Sequence, residues 1–471
     1  MDLPKNMFTF FQTLYDLFSS GNFHWFVLFY FVIIIRWLVV SFFAAGYKPY
    51  TCSSGKFFTT VIIPVVDEPV SLFRNVLQRI LSQQPDEIII VINGPENPEL
   101  LSVAEAVGLE ARKSGKRTDL KTYYTPVAGK RNAIRIGVEN ASLQSDVTLL
   151  VDSDVLWTEN VLKNILMPFA EDPLVGGVTT RQKILDPKRN YITRIAAILE
   201  DIRAEGTMRA MSSNGKVGCL PGRTIAFRTS ILRDSMDEFM TEKFMGIHKE
   251  VSDDRSLTNI TLRRGFKTVM QDTALVYTDC PTETRRYFRQ QLRWAEGSQY
   301  NNIRMMPWML RNARLMLFIY LTDMLMPFLL ISTYTNWFLG FVARASGYDF
   351  ETLPFSVNIF LLCVLIYVGS AISFTVRNIR LLRIVRLRNI LFFPFLILFL
   401  SVFMLPIRMT GLAKCADSLS WGTRKTTASD AENIQEDIPG KMNGYQILMR
   451  LLVVFLMLFF ISFSFFMELF F

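Results

Sequence analysis

Residues 147–154 read VTLLVDSD, and the fold turns on how that stretch is taken. Val147 to Val151 form a run broken only by Thr148, the pattern of a strand packed on both faces of a parallel sheet. Ligands of open α/β sheets bind just beyond the carboxyl ends of such strands. Asp152 and Asp154 stand at that end, one residue apart. Two carboxylates there suit a hard divalent cation, which prefers oxygen ligands and bridges to phosphate oxygens. Asp-x-Asp also occurs by chance, so its meaning depends on its surroundings.

Working outward, the same pattern recurs on the N-terminal side. TTVIIPVV (59–66) and EIIIVIN (87–93) read as strands, with a helix through Leu72–Leu81 between them. A helix around 99–113, a short strand near 120–124 and a helix over GKRNAIRIGVENA (129–141) lead back into the 147–154 stretch. Strands alternating with helices predict an α/β domain: a mostly parallel, Rossmann-like sheet with crossover helices. Residues 46–300 make one such domain, without internal repeats.

Outside it the composition changes. Half of the 471 residues are hydrophobic, 40 are Phe and 20% are charged. That is too apolar for an ordinary soluble chain and too charged for a bare bundle of membrane helices. A transmembrane helix needs about 20 mostly apolar residues, and 23–45, 315–342, 355–376 and 446–470 meet that need. The first is too long for a secretory signal core and ends at no evident cleavage site, so it reads as a retained anchor behind an interfacial segment, 1–22. Arg36 within it is expected to snorkel. A fifth apolar run, 390–407, carries Pro394 and Pro406 and is flanked by basic stretches at 377–388 and 408–425. Positive charge marks the cytoplasmic side, so this run is expected to be re-entrant or interfacial. The α/β domain then lies in the cytosol. Those flanks, rather than a nucleic-acid partner, account for the net charge of +9. Five scattered Cys and two His argue against a disulfide framework, a zinc site or a Ser-His-Asp triad.

Charged residues gather where the strands end. Asp67 and Glu68 follow the first strand, where acids can bond a nucleotide base or ribose; a solvated loop is the competing reading. Lys130 and Arg131 open a helix, although cations gain nothing at a helix N-terminus. Their placement predicts an anionic partner such as a diphosphate. Gly222, in GCLPGRTIAFR (218–228), sits either where backbone must approach a ligand or in an ordinary Pro-Gly turn. Asp253 and Asp254 precede a helix, as a cap or as a general base for an acceptor hydroxyl. In QQLRWAEG (290–297), Trp294 offers a sugar a stacking face, while Gln290 and Arg293 can bond a diphosphate. An interface helix would explain Trp294 but not the triplet. Asp323, an acid in an apolar helix, is either channel lining or an interhelical hydrogen-bond partner.

Taken in order, Asp67, Asp152-x-Asp154, Asp253-Asp254 and Gln290-x-x-Arg293-Trp294 resemble the signature of processive family-2 glycosyltransferases, the group of cellulose, chitin and hyaluronan synthases. DDRSLTN (253–259), QQLRW and Trp421-Gly422-Thr423-Arg424-Lys425 are most similar to hyaluronan synthases and fungal capsule-type polysaccharide synthases. The resemblance spans 55–425 and implies a GT-A-type catalytic domain. By that resemblance, Asp67 would contact the uracil or ribose, and Lys130 the diphosphate. Asp152 and Asp154 would bind nucleotide phosphate and Mn2+ or Mg2+, with Asp154 the direct metal ligand. Asp254 would be the base, with Asp253 beside it. Gln290 and Arg293 would hold the diphosphate, Trp294 would stack on the acceptor, and Trp421–Lys425, including Thr423 and Arg424, would gate the nucleotide. Family members usually carry Asp-Asp after the second strand. Here Ile92-Asn93 stands in that place, and Asn93 can donate as well as accept.

These features predict an integral membrane enzyme of the plasma membrane, surrounded by lipid. It would polymerise a UDP-sugar onto a growing polysaccharide acceptor and export the β-linked product to the cell surface or wall. The rivals are a non-processive transferase making a glycolipid and a transporter or scaffold that has lost catalysis.

Overall fold

Strands form where the apolar runs lie. β1 (Thr59–Val65), β2 (Glu87–Asn93), β3 (Asp119–Thr125) and β4 (Val147–Val151) fall on the predicted stretches to within a residue at each end. The helices Val70–Leu81, Pro98–Lys113 and Lys130–Glu139 lie between them. Every residue of β2 and β4 is buried, and Ile88, Ile90 and Ile92 of β2 feed a core shared with Phe73, Leu77 and Val103 of the covering helices. Fully burying each such side chain is worth about 1.5–3 kcal/mol, which is why β-branched runs outweigh local alternatives here. Glu87, buried at the start of β2, is held by Thr60 Oγ1 at 2.8 Å, the Ser142 N–H at 3.0 Å and the Lys121 ammonium.

The computed structural model describes residues 25–52, 55–345, 372, 393–417 and 442–470. The chain divides into an α/β unit (Val40–Phe318 with Lys414–Gln446) and a helical unit (Met1–Val39, Ile319–Ala413 and Ile447–Phe471).

In the α/β unit the sheet is completed by β5 (Val155–Trp157), β6 (Val175–Ile184) and β7 (Thr224–Arg228). A two-residue pair, β8 (Lys243–Phe244) with β9 (Ile247–His248), stands apart from it, and β10 (Lys267–Thr278) returns to it. The order across the eight strands is β3-β2-β1-β4-β7-β6-β10-β5. β3, β2, β1 and β4 are mutually parallel, as are β6 and β10, while β7 runs antiparallel between β4 and β6. The chain walks outward from β1 to β3 and then crosses back to β4 on the other side of β1. That reversal is the topological switch point where α/β sheets bind ligands. It places Asp67 and Glu68 beside Asp152 and Asp154. Because β7 is antiparallel to β4, pairing Thr224 with Val151, the turn carrying Gly222 reaches the same edge.

The helical unit holds most of Trp25–Ala45 (to Val39), of Arg314–Ala345 (from Ile319) and of Gly444–Phe470 (from Ile447), helices that fall on three of the predicted spans. The predicted span 355–376, the interfacial segment 1–22 and the basic stretch 377–388 lie outside the described residues, apart from 372. Among the described residues three helical stretches, Arg314–Thr335, Phe395–Ala413 and Gly444–Ser462, are long and apolar enough to cross a membrane. The described part of the run expected to be re-entrant is helical, as Phe393–Phe399, a π turn over Leu400–Met404, and Leu405–Ala413. Pro394 sits in the first turn, where no N–H is required, and the wider π turn precedes Pro406 and absorbs its missing donor. The prolines therefore do not break the helix.

Arg36 does not snorkel. Its guanidinium meets Asp323 Oδ1 at 2.7 Å, and Arg408 approaches the same oxygen at 3.6 Å. A charge in lipid costs several kcal/mol unless paired, so three helices are tied through one carboxylate. Ser332 adds a hydrogen bond to the Phe460 carbonyl at 2.7 Å.

Candidate active site

The edge at the carboxyl ends of β1 and β4 gathers most of the charged residues singled out above. Asp67 is exposed, and Glu68 is half-buried with its Oε1 accepting the Ser153 hydroxyl at 3.0 Å. The Asp152 N–H donates to the Arg223 carbonyl at 3.0 Å, which pins the turn after β4 to the turn before β7. Lys130 donates its ammonium to Asp152 Oδ1. Burial works against the Lys130 charge, but Asp152, Asp253 and Asp254 outweigh it and hold the group above the ordinary lysine range.

Asp154 has no such escort. Burial pushes its carboxyl up to about 7, and the neighbouring Asp152 and Glu68 add to the shift, with Arg223 and Lys130 opposing it. Among the described residues no group of three or more His, Cys, Asp or Glu side chains is arranged to hold a metal ion. A cation on Asp154 and Asp152 would therefore complete its shell with water or ligand oxygens, the habit of Mg2+ and its like at phosphate sites. Crowded carboxylates, one of them raised toward neutrality, fit that role.

Asp253 and Asp254 are the first two residues of the helix Asp253–Arg263. Neither is the cap: Ser252 holds that place, at φ +66 and without a side-chain cap bond. Carboxylates in a first turn are favoured by the helix dipole. Asp254 Oδ2 accepts the Gly222 N–H at 3.2 Å and the Cys219 thiol at 3.7 Å, while Oδ1 accepts the Arg255 N–H at 2.8 Å. A Cβ at Gly222 would stand 3.3 Å from the Asp254 Cβ and 3.5 Å from the Lys130 Nζ. Gly222 thus lies between Asp254 and Lys130, and a side chain there would crowd the Asp254 Cβ.

Two expected ligand contacts are turned inward. Arg131 is buried: its Nε meets Asp253 Oδ1 at 3.1 Å, and Nη1 and Nη2 bond the Phe239 and Val251 carbonyls, Glu242 and Ser256. Lys130 faces the site because it opens the helix at the sheet edge, and Arg131 must then point the other way, about 100° around the helix. Asn93 is buried at the end of β2, its amide donating to the Val65 carbonyl at 3.0 Å and its oxygen accepting the Gly129 N–H at 3.2 Å. It bridges the end of β1 to the residue that starts the Lys130–Glu139 helix, a task that needs a donor and an acceptor on one side chain.

Gln290, Arg293 and Trp294 share one face of the helix Thr284–Asn312 at i, i+3 and i+4. Gln290 and Arg293 are half-buried and Trp294 is 44% exposed. The Arg223 guanidinium lies 5.9 Å from the Trp294 ring centroid and is held by Gln182 Oε1 at 2.8 Å. Arg223 and Cys219 were missed in the sequence reading, although both lie within the quoted 218–228 stretch. Trp421, Thr423 and Arg424 lie outside the described residues.

Residues 57–297, just over half of the chain, match the family described as Glycosyltransferase like family 2. The chain belongs to that family. This glycosyltransferase is 28% identical over 269 residues to a hyaluronan synthase of Streptococcus pyogenes serotype M3, a match covering 56% of this chain and 63% of that protein. It is also 28% identical over 256 residues to a type 2 glycosyltransferase of Pyricularia oryzae, covering 52% of this chain and 50% of the relative. The matches thus span less than two thirds of the length of these relatives. A solved mannosyltransferase from Pyrobaculum calidifontis, in complex with GDP-Man and Mn2+, aligns over 82% of this chain and 97% of its own at 15% identity and a TM-score of 0.48. The mostly parallel sheet, with its acidic edge at the switch point, is of the GT-A type expected for the family.

Proposed function

We propose that this glycosyltransferase is processive: it adds sugars from a UDP-sugar to a growing polysaccharide by inversion and exports the β-linked chain across a membrane, with its catalytic domain in the cytosol. The observation that carries this reading is the meeting at Gly222 of Asp254 with the Lys130–Asp152 pair, a candidate base facing a candidate diphosphate site. Similarity to hyaluronan synthases and the three helices able to cross a membrane support it.

In this mechanism Asp254 takes the proton of the acceptor hydroxyl. The hydroxyl oxygen bonds to the anomeric carbon as the bond from that carbon to UDP breaks, and UDP leaves with the electron pair. One displacement turns an α-linked donor into a β-linked product. Lys130, Gln290 and Arg293 stabilise the charge developing on the diphosphate. Asp154 and Asp152 would hold Mn2+ or Mg2+, with Glu68 beside them, and when bound the cation neutralises the same leaving group. Asp67 reaches the uracil or ribose, and Trp294 stacks on the terminal sugar. Asn93 and Arg131 serve as supports, Asn93 tying the end of β1 to Gly129 and Arg131 holding Asp253 in place.

The test is UDP release by the detergent-purified full chain with Mn2+, across UDP-glucose, UDP-N-acetylglucosamine and UDP-glucuronic acid, singly and paired. Asp254→Asn is the control, and the size of the product is measured. A high-mass product from one donor establishes a homopolymer and names its monomer, and a requirement for two establishes a copolymer. A single glycolipid product would overturn the processive reading.

A further inference from the structure

Lys249 lies four residues before Asp253 and has no exposed surface. Its ammonium donates to the Cys415 carbonyl at 3.0 Å and to the Asp417 carbonyl. It stands 5.5 Å from the ring centroid of Tyr300 and 5.9 Å from that of Phe244. The turn it grips is itself interior, with Cys415 and Ala416 wholly buried. Buried carbonyls need donors, and here one lysine supplies two. Aromatic faces on the same ammonium add cation–π attraction.

From this clamp the chain passes a series of fixed points on its way to the acids. The Lys249 N–H donates to the Glu242 carbonyl at 3.0 Å. The Val251 carbonyl accepts from the Tyr300 hydroxyl at 2.9 Å and from Arg131 Nη2 at 3.1 Å. Ser252 then takes its left-handed turn, and Asp253 meets Arg131. Tyr300 therefore touches both ends of the loop, its ring at Lys249 and its hydroxyl at Val251.

We propose that Lys249 is a positioning residue for Asp254: by clamping the turn Lys414–Asp417 and the Tyr300 ring to residues 249–252, it sets where the first turn of the Asp253–Arg263 helix lies. The inference rests on Asp254 being the base. Burial holds the Lys249 ammonium down to about 8, against the pull of Cys415, Asp417, Glu296 and Glu242. Glu296, facing Lys414, Asp417 and Lys249, is itself pushed up to about 7 by burial. The charge on Lys249 is accordingly lost as pH rises through about 8, and the grip on the two carbonyls weakens over that window.

The experiment uses the full chain with Lys249→Met and Lys249→Arg. It measures kcat for UDP release, binding of UDP with Mn2+ and hydrogen exchange by peptide. For Lys249→Met the expected result is a kcat lower by about tenfold to a hundredfold, the scale of a misplaced catalytic group. UDP binding stays near wild type, and exchange quickens over 249–256 and 414–417 but not over β2. Lys249→Arg keeps its charge at all working pH values, so it restores most of kcat and lacks the alkaline decline near pH 8. A Lys249→Met protein with wild-type kcat and exchange overturns the proposal. So does one that loses UDP binding and β2 protection together, since the lysine would then serve the fold at large. If wild-type protein turns over no sugar nucleotide, the base assignment falls, and exchange over 249–256 still decides whether Lys249 holds the loop.

Discussion

The two acidic pairs face each other across Gly222 and are built on opposite plans. Asp253 and Asp254 open a helix, where the dipole favours negative charge. Burial raises the Asp253 carboxyl, but Arg131 and Lys130 oppose the shift, and Asp254 has the Gly222 N–H for company. Asp152 and Asp154 end a strand, which offers no such dipole. Asp152 has Lys130, while burial, helped by Asp152 and Glu68 and opposed by Arg223 and Lys130, pushes Asp154 up to about 7. One pair carries its counter-charges within the chain. In the other, Lys130 and Arg223 do not offset the burial of Asp154, and a divalent cation would make up the difference.

The sharpest way to break this contrast is to remove one acid from each pair. Asp254→Asn should lower kcat by about 10²–10⁴-fold, the usual worth of a general base, while leaving Mn2+ half-saturation unchanged. Asp154→Asn should do the reverse in kind, raising the Mn2+ requirement steeply. If both variants change the same parameter, the pairs are one site and the contrast fails.

The next largest effect concerns the counter-charge itself. Arg131→Met leaves Asp253 buried without its bonded cation, while Glu242 keeps Arg304 at 2.7 Å, and breaking a buried pair from one side costs roughly 3–5 kcal/mol. Denaturant unfolding of the domain should show that loss. A variant of wild-type stability would mean that Asp253 is neutral in the fold and needs no partner.

A third test uses pH. Asp154 titrates near 7 in the fold, against about 4 for an ordinary aspartate. Between those values the unfolded chain gives up its proton while the fold keeps it, so this group makes the metal-free fold less stable as pH rises toward 7. A cation must displace the same proton. Mn2+ affinity should therefore fall by up to about tenfold per pH unit below 7 and level off above it. Half-saturating Mn2+ measured at pH 6, 7 and 8 checks the slope, and a flat line would remove the strained carboxylate from the explanation.

How legible all this was in the sequence depended on what kind of physics set each residue. The strands and the acidic edge were readable because burial and the parallel-sheet rule act on runs of residues, as at EIIIVIN and VTLLV. Arg131 and Asn93 were read as ligand contacts because their residue type allows it. Their inward direction depends on partners such as Glu242, Ser256 and Gly129, which lie far off in the chain. Arg36 was expected to reach for the lipid surface for the same reason, since nothing near it announces Asp323. Cys219 was visible as a letter, but its thiol matters only through Asp254, a contact made by the antiparallel entry into β7. Patterns were legible; pairings made by the fold were not.

The smallest expected effect falls on the point between the pairs. Gly222 is not in a left-handed conformation, so alanine meets no backbone strain there and only its methyl matters. That methyl would sit 3.3 Å from the Asp254 Cβ, tighter than ordinary contact, and 3.5 Å from the Lys130 Nζ, which is ordinary. Asp254 is bound to a helix and moves only if the first turn moves, whereas the lysine tip can swing. Overpacking of this kind costs about 1–3 kcal/mol, and its burden falls on Asp254. Gly222→Ala should therefore lower kcat severalfold while Mn2+ half-saturation stays put. A shift in the Mn2+ requirement at constant kcat would mean that Lys130 gave way instead, and that the strand-end pair, not the helix-borne one, is the softer half of the site.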